Sequence, residues 1–472
     1  MSRRDDAGDG EDRATPDSAP SRPGRYSPRV PDVGDDPRGA TRDVDPPANK
    51  VWFRDLDEAV VEAGRCVQCG TCVAACPSDS IGVADSDDRP TLVKMCTGCS
   101  RCWDTCPRAG LRYERLPDLV AGPDEGADLG PVRDTYAASA VDPADGRQHG
   151  GVVTALAAAL LADGEIDGAV LAREDPDAPG KAVPALATDP GEVRETAGSL
   201  FTQPLQLAAL PDLLAAREDD LPDDPSLALV GTPCVVQGVA ALRHGSYPSD
   251  PWDDPDPVEY VDLTVSLFCT QAFDRERLSH ALAGEYDTEL ADVEKLDLVG
   301  NGLDVHTADG VESVPVDDVR GAVLDGCPEC GDVSGRTADL SVGAVGSERG
   351  ESTVLVRTER GERAWERAVG GEAPAAETAA ADPDGDRADD AADAGHGAAS
   401  PSIEARPLAD LGPVEQLSAW NRQRAKTALE REFDPEGALG VPYEAHRDAY
   451  DGTDRAPAPF NPARVHQYEE WC

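Results

Sequence analysis

Twelve of the thirteen cysteines in this 472-residue sequence fall into three groups of four. Eight of them form two copies of one pattern, C-x2-C-x2-C-x3-C-P, and the second copy begins thirty residues after the first. Cysteines at this spacing bind two [4Fe–4S] clusters, and the fourth cysteine of each run ligates the other cluster. The pattern therefore predicts two clusters that transfer single electrons. Cluster one would be held by Cys66, Cys69, Cys72 and Cys106, and cluster two by Cys96, Cys99, Cys102 and Cys76.

Zinc is the alternative metal for cysteines that occur in C-x2-C pairs. A four-cysteine zinc ribbon needs two such pairs, whereas this sequence has two complete four-cysteine runs, which end at Pro77 and Pro107. Proline fixes the backbone and removes a hydrogen-bond donor, so it directs the chain away from the metal site. We therefore interpret these eight cysteines as cluster ligands rather than zinc ligands.

The third group of cysteines lies much later in the sequence. Cys234 follows one predicted strand and Cys269 ends another, while Cys327 and Cys330 form a C-x2-C pair. Because the ends of parallel strands meet at one edge of a sheet, a third metal site can assemble there. Spacing alone supports zinc and a third [4Fe–4S] cluster equally, with unlinked core cysteines as a weaker alternative.

Predicted strands and helices alternate in the region that holds this third group. The strands are expected at 166–172, 226–230 and 258–268, and the helices at 152–162, 235–243 and 274–283. Such alternation predicts an α/β layer with a largely parallel sheet. Residues 305–316 alternate like a hairpin with Asp309-Gly310 at its turn. The expected fold class is α+β, with a ferredoxin-like two-cluster module followed by an α/β domain.

Low-complexity sequence flanks and interrupts these regions. Residues 1–50 form an acidic tail, and residues 370–402 form an insertion of mainly Ala, Asp, Gly and Glu. Neither segment has enough apolar residues to bury a core, so both are predicted to be disordered. Residues 51–118 would form the two-cluster module, and residues 403–472 a helical C-terminal tail.

The composition is strongly acidic, with 92 Asp and Glu against 43 Lys and Arg and a formal charge of −49. Because 40% of the residues are still apolar, we interpret the charge as a surface adapted to a high-salt cytoplasm rather than as general disorder. Such a surface argues against binding to nucleic acid or anionic lipid. No apolar run is long enough to span a membrane, and cysteines at cluster spacing suit a reducing compartment. The expected location is the cytoplasm.

Several short segments of the α/β region resemble the coenzyme F420 hydrogenase/dehydrogenase beta subunit family. The resemblance covers 132–215 and 222–369, in addition to the N-terminal ferredoxin-type module with its two [4Fe–4S] sites. The matching segments are Gly150-Gly151 with Thr154, Ala197-Gly198-Ser199, Gly231-Thr232-Pro233-Cys234, Leu267-Phe268-Cys269, Cys327-Pro328-Glu329-Cys330 with Asp332, Ala338 to Gly343 with Gly346, Ser352-Thr353 and Arg357-Thr358.

This resemblance implies an α/β flavin-binding domain in an oxidoreductase subunit. In the family, FAD exchanges hydride with coenzyme F420 and passes electrons singly to iron–sulfur clusters. The resemblance makes the third cysteine group the ligands of a third [4Fe–4S] cluster. It implies as electron partner a redox subunit or a ferredoxin-like carrier. The residues implied at the flavin and coenzyme site are Gly150, Gly151, Thr154, Gly198, Ser199, Gly231 and Thr232.

Two departures from the family pattern leave alternatives open. Leu200 stands where members commonly have lysine, and Ala344 stands where they have aspartate. The chain could therefore be an electron-transfer adaptor that lacks a coenzyme site of its own. A third alternative is a reductase of the same family that acts on another organic substrate.

Overall fold

The computed structural model describes residues 52–84, 88–99, 101–108, 129–244, 257–370, 401–408 and 410–432. The predicted acidic tail, nearly all of the predicted insertion and the residues after 432 lie outside these ranges. Among the described residues, every helix is too short or too polar to cross a lipid bilayer.

The N-terminal module consists of short elements packed around cysteines. Its helices are α1 (Phe53–Leu56), which continues as a π-helical turn through Val61, α2 (Thr71–Ala74) and α3 (Arg101–Thr105), and its strands are β1 (Ile81–Val83) and β2 (Pro90–Leu92). The two strands pair antiparallel. Phe53, Leu56 and Trp103 are almost completely buried and pack with the cysteines in one apolar cluster. The module is a ferredoxin-like dicluster region, as the sequence predicts.

The remaining elements form two sheets and the helices that cover them. The strands are β3 (Asp134–Ala140), β4 (Gly168–Asp175), β5 (Ala178–Ala187), β6 (Leu227–Gly231), β7 (Val261–Leu267), β8 (Val293–Val299), β9 (Gly302–Thr307), β10 (Gly310–Pro315), β11 (Leu340–Gly343), β12 (Ser352–Val356) and β13 (Ile403–Pro407). The helices are α4 (Val152–Ala162), α5 (Pro190–Glu195), α6 (Gln206–Ala216), α7 (Pro233–His244), α8 (Arg275–Tyr286), α9 (Glu359–Ala368) and α10 (Gly412–Glu432).

The large sheet has eight strands in the order β13-β3-β12-β11-β7-β6-β4-β5. Only its centre is parallel, because β4, β6, β7 and β11 pair in parallel and the other neighbours pair antiparallel. The prediction of a largely parallel sheet therefore holds for the centre and fails at the flanks. At one flank the cause is local: two residues join β4 to β5, too few for the crossover that a parallel pair requires.

The smaller sheet is antiparallel, in the order β10-β9-β8, and it contains a hairpin in the predicted region. Its two turn residues are Ala308 and Asp309 rather than the predicted Asp309 and Gly310, because Gly310 already pairs with Thr307 as the first residue of β10. At the C-terminal end, Ile403–Pro407 pairs with β3 as a strand, so helix occupies only part of the predicted helical tail. That helix spans Gly412–Glu432 in the region where the sequence predicts one.

The large sheet is buried on both faces. Along β6, Ala228 and Val230 pack into one core with α4 and α9, whereas Leu227 and Leu229 pack into a second core with α6 and α7. This alternation follows from the two-residue side-chain period of a strand. The second core also contains Cys69, Cys234 and Cys327, so the N-terminal module lies on this face of the sheet.

Candidate functional site

The first group of cysteines brings together residues from both copies of the repeat. The pKa of the Cys66 thiol is raised to about 12, mainly by burial and less by the nearby Cys69, while the amide of Gln68 opposes the shift. Burial also raises the pKa of Cys72, with added contributions from Cys106, Cys66 and Cys69. Cys106 therefore lies with the first run rather than only with its own, as the crossed ligand pattern predicts.

The second group likewise includes a cysteine from the other copy of the repeat. The pKa of Cys102 is raised first by burial and then by Cys99, Cys96, Cys106 and Cys76. Cys76 therefore lies with the second run. Because Cys102 is also influenced by Cys106, the two groups adjoin each other. Within the pair of groups, Cys99 is the exposed cysteine.

Backbone N–H groups point at the sulfur atoms of both groups. The amides of Gln68 and Gly98 donate to Cys66 Sγ and Cys96 Sγ, each at 3.4 Å. Gln68 and Gly98 occupy equivalent positions thirty residues apart, and both have positive φ, at 53° and 68°. The repeat is therefore structural as well as sequential, and the left-handed backbone turns the same amide towards sulfur in each copy.

The fourth cysteines also accept backbone hydrogen bonds, although the donors occupy different positions in the two copies. The amide of Ser80 donates to Cys76 Sγ at 3.2 Å, and that of Arg108 donates to Cys106 Sγ at 3.4 Å. Hydrogen bonds to the sulfurs stabilise thiolate and tune cluster potential. Buried all-cysteine groups with amide donors fit [4Fe–4S] clusters, whose iron would supply the positive charge that keeps the sulfurs deprotonated.

The third group assembles at the carboxyl edge of the parallel strands, where the sequence predicts it. Cys234 is the second residue of α7, directly after β6, and Cys269 follows β7. The pKa of Cys269 is raised first by burial and then by Cys327 and Cys330. The amide of Ala272 donates to Cys327 Sγ at 3.4 Å. The structure thus brings the four cysteines together, and their binding of a cluster stays a prediction.

The spacing of the cysteines bears on the zinc alternative. In the part of the chain that the structure describes, no three His, Cys, Asp or Glu side chains are arranged as the shell of one metal ion. Zinc draws its four ligands onto a single atom, whereas each cysteine of a [4Fe–4S] site binds a different iron. The assignment of iron rather than zinc to the three groups stays a prediction.

The third group adjoins the first. The pKa of Cys234 is raised first by burial, next by Cys69 of the N-terminal module, and less by Cys330 and Cys269. Arg108 is buried and influences Cys66, Cys106 and Cys327, which belong to the two groups. The two cysteine groups therefore lie on either side of one tightly packed boundary.

Glycines allow this close approach. A Cβ atom on Gly70 would lie 2.6 Å from the Ala208 amide nitrogen of α6, and Gly70 also has a φ of 81°. Gly238 in α7 faces the Thr71 hydroxyl with no space for a methyl group. The N-terminal module therefore packs on α6 and α7 through positions where a side chain would not fit.

Helix α10 covers the third group, which the sequence did not indicate. Asn421 Nδ2 donates to the Cys330 carbonyl at 2.8 Å, and Arg424 Nη2 donates to the Thr270 carbonyl at 2.8 Å. Burial lowers the pKa of Arg424, while Cys330, Cys327 and Cys269 raise it, so its guanidinium lies close to three of the four cysteines. Helical periodicity identifies α10, but nothing local in the sequence says what it covers.

The predicted flavin residues lie in two places at the same edge of the sheet. Since β3 is antiparallel to β12, and β12 to β11, strand β3 runs parallel to β7 and ends at the same edge. The loop after β3 leads to Gly150 and Gly151, and α4 begins there with Thr154 in its first turn. A Cβ atom on Gly150 would lie 2.5 Å from the Ala138 carbonyl, so the loop is held against the sheet.

Gly198 and Ser199 approach this loop from a second segment. A Cβ atom on Gly198 would lie 3.6 Å from the Gly146 carbonyl, and one on Gly146 would lie 3.2 Å from the Ala197 carbonyl. Gly231 and Thr232 instead lie beside the third cysteine group, where Thr232 Oγ1 is 3.2 Å from Cys234 Sγ. The structure therefore associates two of the predicted flavin residues with the cysteines.

Sequence reasoning missed a polar cluster on the small sheet. Gln148 Nε2 donates to the Leu296 carbonyl at 2.8 Å, and Asp297 accepts from Lys295 at 2.9 Å and lies 3.2 Å from His306. Burial lowers the pKa of His149, which is also influenced by Asp297 and Lys295. A lysine therefore lies beside the loop before Gly150.

Comparisons with known proteins identify three matching regions. The family model for the coenzyme F420 hydrogenase/dehydrogenase beta subunit N-terminus matches residues 135–211, and that for its C terminus matches 224–382. The model for a 4Fe-4S dicluster domain matches 58–115.

Several curated proteins are similar over large parts of the chain. An uncharacterized protein of Methanocaldococcus jannaschii is 31% identical over 67% of this chain and 90% of its own length. The coenzyme F420-dependent sulfite reductase of the same organism is 30% identical over 64% of this chain, which spans 46% of that enzyme. The coenzyme F420 hydrogenase subunit beta of Methanosarcina barkeri is 31% identical over 47% of this chain and 73% of that subunit.

One solved structure shares the fold. A chain in the F420-reducing [NiFe] hydrogenase complex from Methanosarcina barkeri aligns with a TM-score of 0.55 and 23% sequence identity. The alignment covers 71% of this chain and 99% of that chain.

Proposed function

Because the chain belongs to the coenzyme F420 hydrogenase/dehydrogenase beta subunit family and carries an N-terminal 4Fe-4S dicluster domain, we propose that it is an iron–sulfur flavoprotein subunit of an F420-dependent oxidoreductase. It would exchange hydride between coenzyme F420, or a similar two-electron donor, and FAD, and pass single electrons to a partner. The bound flavin would supply the conversion between two-electron and one-electron chemistry.

The observation that carries this proposal is the proximity of Cys69 and Cys234. These residues belong to different domains and to different cysteine groups, yet Cys69 is the nearby charge with the largest effect on the pKa of Cys234. Cys102 and Cys106 make the corresponding link between the two N-terminal groups. If each group holds a cluster, the third, first and second clusters would follow one another from the flavin domain to the surface of the N-terminal module.

The buried boundary between the first and third cysteine groups is suited to electron transfer. Cys69 and Cys234 are both buried, and the apolar residues Val67, Leu207 and Val235 pack in the same core. An environment that excludes water limits the rearrangement of solvent when charge moves, and it also tunes cluster potential. The protein's own contribution is to hold the first and third cysteine groups next to each other and to exclude water from them.

The loop at Gly150 and Gly151 is the proposed flavin site. Gly151 precedes α4, so the first amides of that helix are free of intrahelical partners and suit a pyrophosphate. Gly198 and Ser199 would border the same site. Lys295 also lies beside the loop, but its ammonium is paired with Asp297 at 2.9 Å, so its charge is largely offset there.

Anaerobic purification with counts of iron, sulfide and flavin tests the cofactor content. About twelve irons per chain are expected from three four-iron clusters, together with about one FAD. Cys472 lies outside the three groups, so Cys472→Ser is the matched control and should leave the iron count unchanged. A colourless preparation that contains zinc in place of iron would contradict the proposal.

Addition of reduced coenzyme F420 to the purified protein tests the reaction. Bleaching of the flavin absorbance, followed by reduction of the clusters, is expected. A protein that contains iron but no flavin would instead indicate an electron-transfer adaptor without a coenzyme site of its own. The presence of Leu200 in place of lysine favours that alternative. Flavin reduction by another organic donor, with no response to coenzyme F420, would indicate a reductase for a different substrate.

A further inference from the structure

Two polar side chains lie against Cys234, the cysteine of the third group that follows β6. Thr232 Oγ1 is 3.2 Å from Cys234 Sγ, and Gln203 Nε2 is 3.6 Å from the same sulfur. The Gln203 Nε2 and Thr232 Oγ1 atoms are 3.4 Å apart. Gln203 and Cys234 are each only 6% exposed. The two side chains therefore form a small, largely buried hydrogen-bond network around one sulfur atom.

The ligation state of Cys234 decides the direction of these hydrogen bonds. A free thiol could donate its own proton to Thr232 Oγ1, and the Thr232 hydroxyl could then donate to Gln203 Oε1, at 3.4 Å. A cysteine that ligates iron is a thiolate, which can only accept. The Thr232 hydroxyl and one Gln203 Nε2–H group then both donate to the sulfur. The second Nε2–H group has Thr232 Oγ1 as its acceptor, so each donor is satisfied when a cluster is bound.

Gln203 belongs to the same segment as Gly198 and Ser199, which border the proposed flavin site. The Thr202 hydroxyl accepts from the Ala182 amide at 2.7 Å, which fixes this segment to β5. One short segment therefore reaches from the proposed flavin site to the third cysteine group. The side chain that it places against the sulfur is held by the fold rather than by a free loop.

The first cysteine group has a comparable hydroxyl. Thr71 Oγ1 is 3.1 Å from Cys69 Sγ, and Thr71 is completely buried. Thirty residues later, the equivalent position in the second run is occupied by Arg101. The cysteine repeat therefore does not itself require a hydroxyl at this position. Thr71 offers a matched comparison for Thr232, because each hydroxyl lies beside a sulfur at the boundary between the two domains.

We propose that Thr232 and Gln203 raise the reduction potential of the third cluster, and that Thr232 serves the cluster rather than the flavin. The proposal rests on the proposed function, because it requires that the third group holds a cluster. Reduction adds one electron to the cluster and breaks no bond. The added negative charge strengthens the hydrogen bonds that both side chains donate to the sulfur. The reduced form is therefore stabilised more than the oxidised form, and the cluster becomes a better electron acceptor.

An anaerobic redox titration of the full chain with its clusters, followed by electron paramagnetic resonance, tests this proposal. A chemical reductant supplies the electrons, so neither coenzyme F420 nor flavin chemistry is needed. Thr232→Val removes the hydroxyl and keeps the shape of the side chain, and Gln203→Met removes the amide and keeps an unbranched side chain. Each variant should weaken electron uptake by the third cluster about threefold to tenfold, which lowers its potential by about 30–60 mV.

Three further variants make the result specific. Cys269→Ala should abolish the signal of the third cluster and so identifies it. Thr232→Ser keeps the hydroxyl and should retain the wild-type potential. Thr71→Val removes the matched hydroxyl beside Cys69, so it should lower the potential of the first cluster and leave that of the third unchanged. Flavin content should be the same in Thr232→Val as in the unaltered chain.

The proposal is overturned if Thr232→Val and Gln203→Met both keep the wild-type potential of the third cluster. An equal shift in Thr232→Ser would also overturn it, because packing and not the hydroxyl would then be responsible. Loss of flavin from Thr232→Val with an unchanged potential would assign Thr232 to the flavin instead. If the potentials shift as expected in a protein that does not react with coenzyme F420, the proposed function fails and this proposal stands.

Discussion

Arg65 and Glu329 form an ion pair across the boundary between the N-terminal module and the α/β domain, with Nε and Oε1 3.2 Å apart and side chains only 5% and 7% exposed. Arg65 precedes the first cysteine of cluster one, and Glu329 lies between Cys327 and Cys330. The pair therefore connects the loops of the first and third cysteine groups. Its burial takes both charges out of water, so each is stabilised by partners within the protein.

Removal of either member of the Arg65–Glu329 pair should destabilise the folded protein. Replacement of Glu329 by Ala, or of Arg65 by Ala, should lower the free energy of unfolding by ~3–5 kcal/mol, since the remaining buried charge loses its ion-pair partner. Anaerobic urea unfolding followed by circular dichroism measures the loss. Arg54→Ala is the control, because Arg54 and Glu58 form an exposed pair that contributes about 0–1 kcal/mol. Equal effects at the two sites would contradict the role of the buried pair.

Two helical glycines should respond oppositely to alanine. Gly284→Ala, in α8, places a methyl group in open space and should stabilise the protein by about 0.5–1 kcal/mol. Gly238→Ala, in α7, overlaps the Thr71 hydroxyl and places its Cβ atom 2.8 Å from Leu207, so we expect a loss of ~1–3 kcal/mol. Thermal unfolding of both variants checks the sign. Stabilisation by Gly238→Ala would mean that the module does not pack there.

Crossed ligation can be measured by counting iron in double variants. Cys66→Ser combined with Cys106→Ser removes two ligands from one predicted cluster and should cost about four irons. Cys102→Ser combined with Cys106→Ser removes one ligand from each predicted cluster. If one serine is enough to prevent a cluster from assembling, this double variant should lose about eight irons. The two single variants, Cys66→Ser and Cys106→Ser, establish that condition. The reverse order of losses would place Cys106 in the cluster of its own run.

Arg424 should set the reduction potential of the third cluster. Its guanidinium lies near Cys269, Cys327 and Cys330, and a cation stabilises the reduced cluster, which carries more negative charge. Arg424→Gln should lower the potential by about 60 mV, a tenfold change in the one-electron equilibrium. An anaerobic redox titration followed by electron paramagnetic resonance measures this shift. Arg424→Lys keeps the charge and should retain most of the wild-type potential; an equal shift in both variants would indicate a change in packing.

The cysteine groups could be predicted because their chemistry is encoded locally. Cluster geometry fixes the spacing of Cys66, Cys69 and Cys72, and the repeat at an offset of thirty identifies the second run. The alternation of strands and helices likewise places Cys234 and Cys269 at one edge of the sheet, because parallel strands end together. The hairpin formed by β9 and β10 follows from the two-residue period, although its turn lies one residue earlier than the predicted Asp309-Gly310.

Other features depend on segments that are distant in the sequence. One antiparallel flank of the large sheet arises because β3 pairs with β12 and with β13 across long intervening stretches, which no local pattern specifies. The position of α10 over Cys330 and the placement of Lys295 near Gly150 are similar cases. Each of these placements depends on which apolar surfaces pack together. Because the hydrophobic effect is not directional, the sequence does not specify those pairings locally.

The sequence by itself determined which residues could hold metal and that an α/β domain follows, and it predicts that the clusters form a crossed pair. Only the tertiary structure decided that Cys69 lies beside Cys234 and that α10 covers the third group. The physical reason is that ligand spacing and strand periodicity act over a few residues, whereas the contact between two domains depends on the close fit of Gly70, Gly238 and the Arg65–Glu329 pair.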